Sequence, residues 1–440
     1  MHELAHEFTS KKISPWGGLK FFQQTYERSG VRGDLQSASL PKGLSNCAHR
    51  AIDLVEGFMV AAVLGAKRTA HTALLRHDQV ITELFGWKRQ LASQSTFSRF
   101  FNKFDIVGND SLFVALMGKW WERIHIPKLT IDLDSTVITR YGEQEGAQVG
   151  YNPTKKGRAS HHPLMAFCDE LKMVVNGWMR PGDTNDAGDV ESFIAQLLLI
   201  LPAQRIGLLR GDAGFYGDPL FSKLEEEKIP YIIKGRLTPP LLEKIGRIKE
   251  WYHDDTVFKD AHYAEVRYKG KDWKRGRRVI VVRRPKKEDA TSAPTLFEGE
   301  SLHKDYRISV YFTSTDLSGS KVHSLYNHRA ECENRIKELK YDYGMDGFAF
   351  KTMGATDAAF RFILLAYNIM ALFKQKVMTG QGAHQLATIR FQCIAIGSYM
   401  VQSGRKRILK LSAEGKRRHF LEHFFDQVEL LEPPFKFSIA

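Results

Sequence analysis

The sequence predicts an α/β protein in which a domain of alternating strands and helices is interrupted by a β-rich insertion. A helical region precedes it and a small C-terminal extension follows. Three observations carry this. Residues 1–125 read as helices, residues 126–235 alternate strand and helix patterns, and residues 236–320 break that alternation with three successive strand patterns.

In the first region, SNCAHRAIDLVEGFMVAAVLGAKRTAHTALLRHD runs without proline, and SQSTFSRFFNKF opens on Ser and Thr cap candidates. Two readings of the second stretch stand. It is either the later helix of a helix-turn-helix, offering Ser98, Arg99, Asn102 and Lys103 to DNA, or a capped helix packing Phe97, Phe100 and Phe101 into a bundle. Taken alone, the stretch favours the bundle.

From residue 128, KLTIDLDSTVITRYG, HPLMAFCDE and KMVVNGWMR suggest a meander. ESFIAQLLLILP then reads as a helix, RIGLLRGDAGFYG as a strand and turn, and PLFSKLEEEKIPYIIKG as a helix and strand. YAEVRYKGKDW, RRVIVVRR and YRISVYFTSTD read as antiparallel strands joined through an exposed loop, PKKEDATSAPTLFEGESLHKD. The apolar AAFRFILLAYNIMALFKQKV is a helix that must be buried on most sides, and QCIAIGSYMVQSGRKRILKLS suggests a hairpin turning at Ser403 and Gly404. The expected segments are 1–125, 126–235, 236–320, 321–378 and 379–440, with 126–235 and 321–378 forming one domain.

The 440-residue chain carries 64 Lys+Arg against 50 Asp+Glu, a formal charge of +14 and a pI near 9.4. That balance favours a polyanionic partner, nucleic acid first and an acidic membrane surface second. Four scattered cysteines argue against a disulfide scaffold or a cysteine zinc site and fit a reducing cytosol. No export signal is expected in MHELAHEFTS, and no membrane span in LVEGFMVAAVLGA, which Glu56 interrupts.

Three places offer carboxylates. In TIDLDSTV, strand alternation puts Thr130, Asp132, Asp134 and Thr136 on one face. Two carboxylates side by side in a low-dielectric setting need a cation, a donor network or protonation, although a solvated edge strand is an equal reading. Asp212 follows the apolar strand Ile206 to Leu209 at its carboxyl end, where open α/β sheets place ligands; it is also a natural turn former beside Gly211 and Gly214.

The third place is YNHRAECENRIKELKYD, residues 326–342, with three glutamates in eight residues. At about 100° per residue, Tyr326, Arg329, Glu333, Lys337 and Lys340 fall within roughly 80° of one another on one helix. Leu325, Cys332, Ile336 and Leu339 form the adjoining apolar stripe, whereas Asn327, Glu331, Asn334 and Glu338 are expected to face water. Glu333 is then the glutamate at the edge of the buried face. Ion pairs of Glu333 with Arg329 and Lys337 on a solvated helix are the plainer reading, but they leave the shared arc of Tyr326, Arg329 and Lys340 unexplained. Two aspartates on strands and one glutamate on a helix suit a pair of Mg²⁺ ions, which take few carboxylates and serve phosphodiester displacement. Arg329 and Lys340 would meet DNA phosphates.

With these motifs together, the sequence resembles bacterial insertion-sequence transposases of the DDE class, in the cut-and-paste group with a Y-x2-R-x3-E-x6-K signature. Tyr326, Arg329, Glu333 and Lys340 fill its four positions; DLDST at 132–136 and GDAGFY at 211–216 resemble the two aspartate motifs. The resemblance covers residues 128 to about 375. It implies an RNase H-like catalytic domain with a β-strand insertion, Asp134, Asp212 and Glu333 as the metal-binding and catalytic triad, and Asp132 as a reserve ligand. It further implies two Mg²⁺ ions with Mn²⁺ able to substitute, hydrolysis at element ends with a DNA hairpin as one route, and transfer of 3′-OH ends to target DNA. Tyr326, Arg329, Lys337 and Lys340 would contact DNA, residues 1–125 would recognise the ends, and a homodimer in the bacterial cytoplasm, associated with the nucleoid, would act on double-stranded DNA.

Basic stretches add contacts. Between Arg267 and Lys287, eleven of twenty-one residues are Lys or Arg against one acid, Asp272, so Lys274, Arg275, Arg277 and Arg278 are DNA-contact candidates. Lys155, Lys156 and Arg158 in NPTKKGR form a second set, Arg99 and Lys103 a third, and SGRKRILK a further weak one. GDTNDAGDVE fails as a calcium loop, the adjacent His161 and His162 splay apart, and no glycine loop for ATP is present.

Overall fold

The computed structural model describes residues 5–42, 49–185, 188–255, 257–286, 305–380, 384–433 and 435–436. Cys47 and nearly all of the loop expected between RRVIVVRR and YRISVYF, from Lys287 to Lys304, lie outside the described residues. Along the chain the helices are α1 Leu19–Arg28, α2 Val31–Ser37, α3 Ala51–Val63, α4 Thr72–Leu75, α5 Gln79–Phe85, α6 Gln94–Phe101, α7 Ile106–Glu122, α8 Val190–Ile200, α9 Asp218–Glu226, α10 Pro239–Gly246, α11 Gly319–Asn327, α12 Ala330–Tyr341, α13 Met353–Lys376, α14 Leu386–Ile389 and α15 Gly415–Glu429. The strands are β1 Ile13–Ser14, β2 Leu129–Ser135, β3 Ile138–Thr139, β4 Gln148–Val149, β5 Ala159–His161, β6 Leu164–Cys168, β7 Met173–Trp178, β8 Ile206–Gly211, β9 Tyr231–Lys234, β10 Tyr252–His253, β11 His262–Tyr268, β12 Arg277–Pro285, β13 Tyr306–Thr313, β14 Ser398–Ser403 and β15 Lys406–Leu411.

These elements form two compact units, each built from segments that are not contiguous in the chain. One holds residues 1–125, 139–147 and 336–440; the other holds 126–138 and 148–335. The apolar helix α13 lies in the first unit.

In the first unit, α13 packs against α1, α3, α6, α7 and α15. It is long and apolar enough to cross a membrane, with mean hydropathy 1.4, yet its apolar window is 100% buried in protein, as expected of a core helix. Phe101 sits in an aromatic cluster with Phe58 at 4.8 Å and Phe350 at 4.7 Å between ring centroids. Ser93 caps α6 by accepting the Thr96 N–H, and Phe97, Phe100 and Phe101 are buried, as the bundle reading of that stretch requires. Glu56, which interrupts the apolar run of α3, turns inward: Tyr26 Oη and Trp87 Nε1 donate to it at 3.1 and 2.7 Å, and Arg32 Nε lies 2.9 Å away. A buried acid persists there because two hydrogen-bond donors and a neighbouring guanidinium replace its water. The C-terminal hairpin forms, but Ser403 pairs with Lys406, so the turn falls on Gly404 and Arg405, with Gly404 in the left-handed region at φ +60°.

The second unit is built on one nine-stranded sheet in the order β10-β11-β12-β13-β9-β8-β2-β6-β7. β2, β8 and β9 run parallel, and β6 and β7 continue antiparallel from β2 as the expected meander. The β-rich stretch after residue 236 is continuous with this sheet: β13 pairs antiparallel with β9, with Phe312 opposite Ile233. The reason is visible in β12, whose Val279–Val282 run is buried throughout, so it needs cover on both faces.

Candidate active site

The register between β2 and β8 builds the site. Asp132 is the Cα partner of Arg210, and Leu133 of Gly211, so the next residues, Asp134 and Asp212, leave the carboxyl ends of adjacent parallel strands together. Both strands carry charge with a two-residue spacing, Asp132-x-Asp134 and Arg210-x-Asp212. Period-two alternation therefore sends all four side chains to one side of the sheet.

The inner pair is closed. Arg210 donates from Nε and Nη2 to the two oxygens of Asp132 at 2.6 and 2.8 Å, from Nη2 to Asp169 at 2.9 Å, and from Nη1 to the Leu325 carbonyl at 2.6 Å. Asp132 and Arg210 are 0% and 1% exposed, so the fork is fully desolvated. Burial pushes the Asp132 carboxyl up, opposed by Arg210. Arg335, on α12, donates to Asp169 at 2.8 Å, and Lys172 joins Asp169 and Glu331. Burial opposes the charge on Asp169, but Lys172, Arg335 and Arg210 hold its carboxyl well below the usual range. Asp132, expected as a reserve metal ligand, thus has both oxygens committed to Arg210.

The outer pair is open. Asp134 is 7% exposed and accepts the Ser135 N–H at 2.9 Å, while Arg329 Nη2 lies 3.1 Å from it. Burial lifts the Asp134 carboxyl to about 6, Arg329 opposing the shift and the neighbouring Asp212 charge adding to it. Asp212 is half-buried, and one of its oxygens accepts the Gly214 N–H at 2.8 Å, so it serves the turn expected of it as well.

The expected single helix through 326–342 is two helices. α11 ends at Asn327 and α12 starts at Ala330, with Arg329, Glu331 and Cys332 each donating backbone N–H to the carbonyl three residues back. The break has a physical cause: Arg329 is buried, donating to the Leu133 carbonyl at 2.8 Å and facing Asp134. Burial opposes the Arg329 charge, yet Asp134, Tyr326 and Asp212 hold it protonated more firmly than a free guanidinium. Its Nε is a buried donor with no partner among the described residues. Tyr326 is half-buried, its ring 4.7 Å from Tyr311, and burial raises its hydroxyl pKa while Asp212 and Asp134 add to that shift. Cys332, Ile336 and Leu339 are buried, as the stripe predicted, and Glu331, Glu333 and Asn334 are exposed. Glu338, expected to face water, is buried instead: its carboxylate accepts the Leu386 N–H at 2.8 Å and pairs with Lys374. A carboxylate can leave the apolar stripe's far side only where such donors wait for it.

The oxygen donors Asp134 and Asp212 suit a hard divalent cation, which would offset the burial, and the lesser repulsion from Asp212, that lift the Asp134 pKa. Among the described residues no three His, Cys, Asp or Glu side chains converge as a metal cluster, and Glu333 is not gathered with the two aspartates.

The proposed DNA contacts divide by exposure. Lys155, Lys156, Arg158 and Lys274 are exposed, as are Arg99 and Lys103 in the first unit, where Lys103 Nζ donates to the Lys42 carbonyl at 2.7 Å. Lys337 is exposed and Lys340 half-buried. Arg277 is 3% exposed and spent on Asp218, Ser222 and Glu225; a cation inside a β-strand core is held by carboxylates, not offered outward. Arg275 is exposed but also pairs with Glu225, and Arg278 pairs with Glu265 at 2.6 Å. The residues that sequence reasoning missed are Arg210, Asp169 and Arg335. The equal spacing of Asp132-x-Asp134 and Arg210-x-Asp212 was the available signal for Arg210.

A search of solved structures found a piggyBac transposase synaptic complex with hairpin DNA at TM-score 0.46 and 12% identity, covering 85% of this chain and 78% of that one. No curated protein matched. The family model described as transposase DDE domain group 1 matches residues 2–433, nearly the whole chain. The chain belongs to that family of DDE transposases.

Proposed function

We propose that this chain cuts DNA at the ends of a mobile element and joins the freed 3′-OH ends to target DNA. The single observation that carries the reading is the pairing of Asp134 with Asp212 at the carboxyl ends of β2 and β8, where burial and mutual repulsion leave a site for positive charge. The strand order β7-β6-β2-β8-β9, antiparallel then parallel, supports an RNase H-like catalytic domain with its acids on the two central strands.

Asp134 and Asp212 would hold divalent cation, with Glu333 on α12 as the third ligand. Mg²⁺, with Mn²⁺ as substitute, supplies activation of the attacking oxygen and stabilisation of the leaving one when bound. Arg329 holds Asp134 in place, and a phosphate oxygen would satisfy its unpartnered Nε. Exposed Lys155, Lys156, Arg158 and Lys274 are the cations of the second unit best placed to meet backbone phosphates, with Lys337, Lys340, Arg99 and Lys103 proposed for the first. The active form would be a homodimer on paired ends in the bacterial cytoplasm, with a hairpin as one route of end cleavage.

The test supplies the protein with duplexes carrying the element's own ends and a plasmid target in Mg²⁺. Ends joined to plasmid support the reading. Cleavage with no joined product makes the protein a nuclease and overturns strand transfer; duplex binding without either reaction leaves only a DNA-binding protein.

A further inference from the structure

The C-terminal hairpin lies outside the proposed active site and carries an unusual surface. Between residues 405 and 418, Arg405, Lys406, Arg407, Lys410, Lys416, Arg417 and Arg418 face a single acid, Glu414, and all seven are exposed. Arg407 lies 3.9 Å from Glu83, and Arg418 pairs with Glu422. Arg405, Lys406, Lys410 and Lys416 have no carboxylate partner among the described residues.

Sheet register sorts the faces. Tyr399 is opposite Lys410, Val401 opposite Ile408 and Ser403 opposite Lys406, and Ile13 of β1 is opposite Tyr399, so these side chains share one face. On it Ile13, Tyr399 and Ile408 are 53%, 42% and 38% exposed, and Lys11 Nζ sits 5.6 Å from the Tyr399 ring centroid. Arg407, on the opposite face, turns toward Glu83 of α5. One face of the ribbon is therefore held to the protein, and the other presents apolar groups bordered by free lysines.

We infer that the β14–β15 ribbon is a docking surface for duplex DNA, its lysines and Arg405 on the phosphates and Tyr399 and Ile408 toward the groove. Six-residue strands span about 20 Å, and a two-stranded ribbon fits a major groove about 12 Å wide. Pairing with a second copy along β15 would set like charges against each other, which is how natural edge strands discourage such contact. The inference rests on the proposed function only for its choice of polyanion.

The experiment uses the full chain carrying Asp212→Asn, in EDTA, with a random-sequence duplex, so that neither metal nor cleavage enters and failure of strand transfer does not touch the result. Binding is followed by fluorescence anisotropy across a salt series. The added triple variant Arg405→Gln, Lys406→Gln, Lys410→Gln should lower the slope of log K on log salt by about 2.7 and weaken binding on the order of tenfold at physiological salt. Tyr399→Ala should weaken binding without changing that slope, and Lys406→Arg with Lys410→Arg should retain it. An unchanged slope in a triple variant of unchanged Tm overturns the inference. So does a triple variant that changes only the sedimentation of the DNA-free protein, which would make the face a contact between copies.

Discussion

Asp132 and Arg210 stand opposite each other on neighbouring parallel strands and are joined by two hydrogen bonds at 2.6 and 2.8 Å, both side chains essentially without solvent exposure. Breaking such a pair leaves an uncompensated buried charge, whereas replacing both members with apolar groups need not destabilise. Arg210→Ala should therefore cost about 3–5 kcal/mol in denaturant unfolding, and Asp132→Leu with Arg210→Met should recover most of it. The double variant should still bind Mn²⁺, because Asp134 and Asp212 are intact. Loss of Mn²⁺ binding in a folded double variant would return Asp132 to the ligand set.

Asp212→Asn and Glu333→Gln should each reduce end cleavage on the order of a thousandfold or more, since charge on the proposed ligands cannot be replaced by amide oxygen alone. Duplex binding in gel shift should stay nearly intact. A folded variant that loses DNA binding as severely as cleavage would contradict the metal assignment.

The raised pKa of Asp134 gives two opposite pH responses. The folded state binds its proton more tightly than the unfolded chain, with a pKa of about 6 against an ordinary 3.8. That contribution to stability is full below pH 3.8 and is lost as pH rises through 6. Cation binding runs the other way, because the carboxylate must be deprotonated: Mn²⁺ affinity should fall about tenfold per pH unit below pH 6 and level off above it. Titration calorimetry across this range reads the break; affinity flat down to pH 4.5 would remove Asp134 from the ligands.

Phe101 fills the aromatic cluster beneath α6, with Phe58 and Phe350 within 5 Å of its centroid. Phe101→Ala should cost about 3–5 kcal/mol, while Arg99→Ala, exposed on the same helix, should stay within about 0.5 kcal/mol. Thermal melts of both variants check this, and near-equal losses would mean that α6 is not held by its phenylalanines.

Local pattern was a sound guide wherever one element answers to its own residues. The alternation of β2, the apolar strand of β8, the capped α6 and the Cys332, Ile336 and Leu339 stripe of α12 were all legible, because burial of a periodic apolar set leaves little choice of face. The break at Arg329 was not. A helix period read through residues 326–342 takes each side chain's direction from its neighbours, and Arg329 takes its direction from the Leu133 carbonyl and Asp134, 196 and 195 positions earlier in the chain. The same applies to Glu338 and Arg277, which helix and charge patterns sent to solvent and which donors or carboxylates from other elements drew inward.

The sequence by itself determined the family-bearing motifs, the acids at 134, 212 and 333, and the cationic surplus. Only tertiary structure decided which of those charges are spoken for. Register placed Arg210 against Asp132 and left Asp134 beside Asp212, and it made the strands after residue 236 part of the same sheet. The reason is that the cost of a buried charge is settled by partners brought from far along the chain, and spacing within one segment carries no record of them.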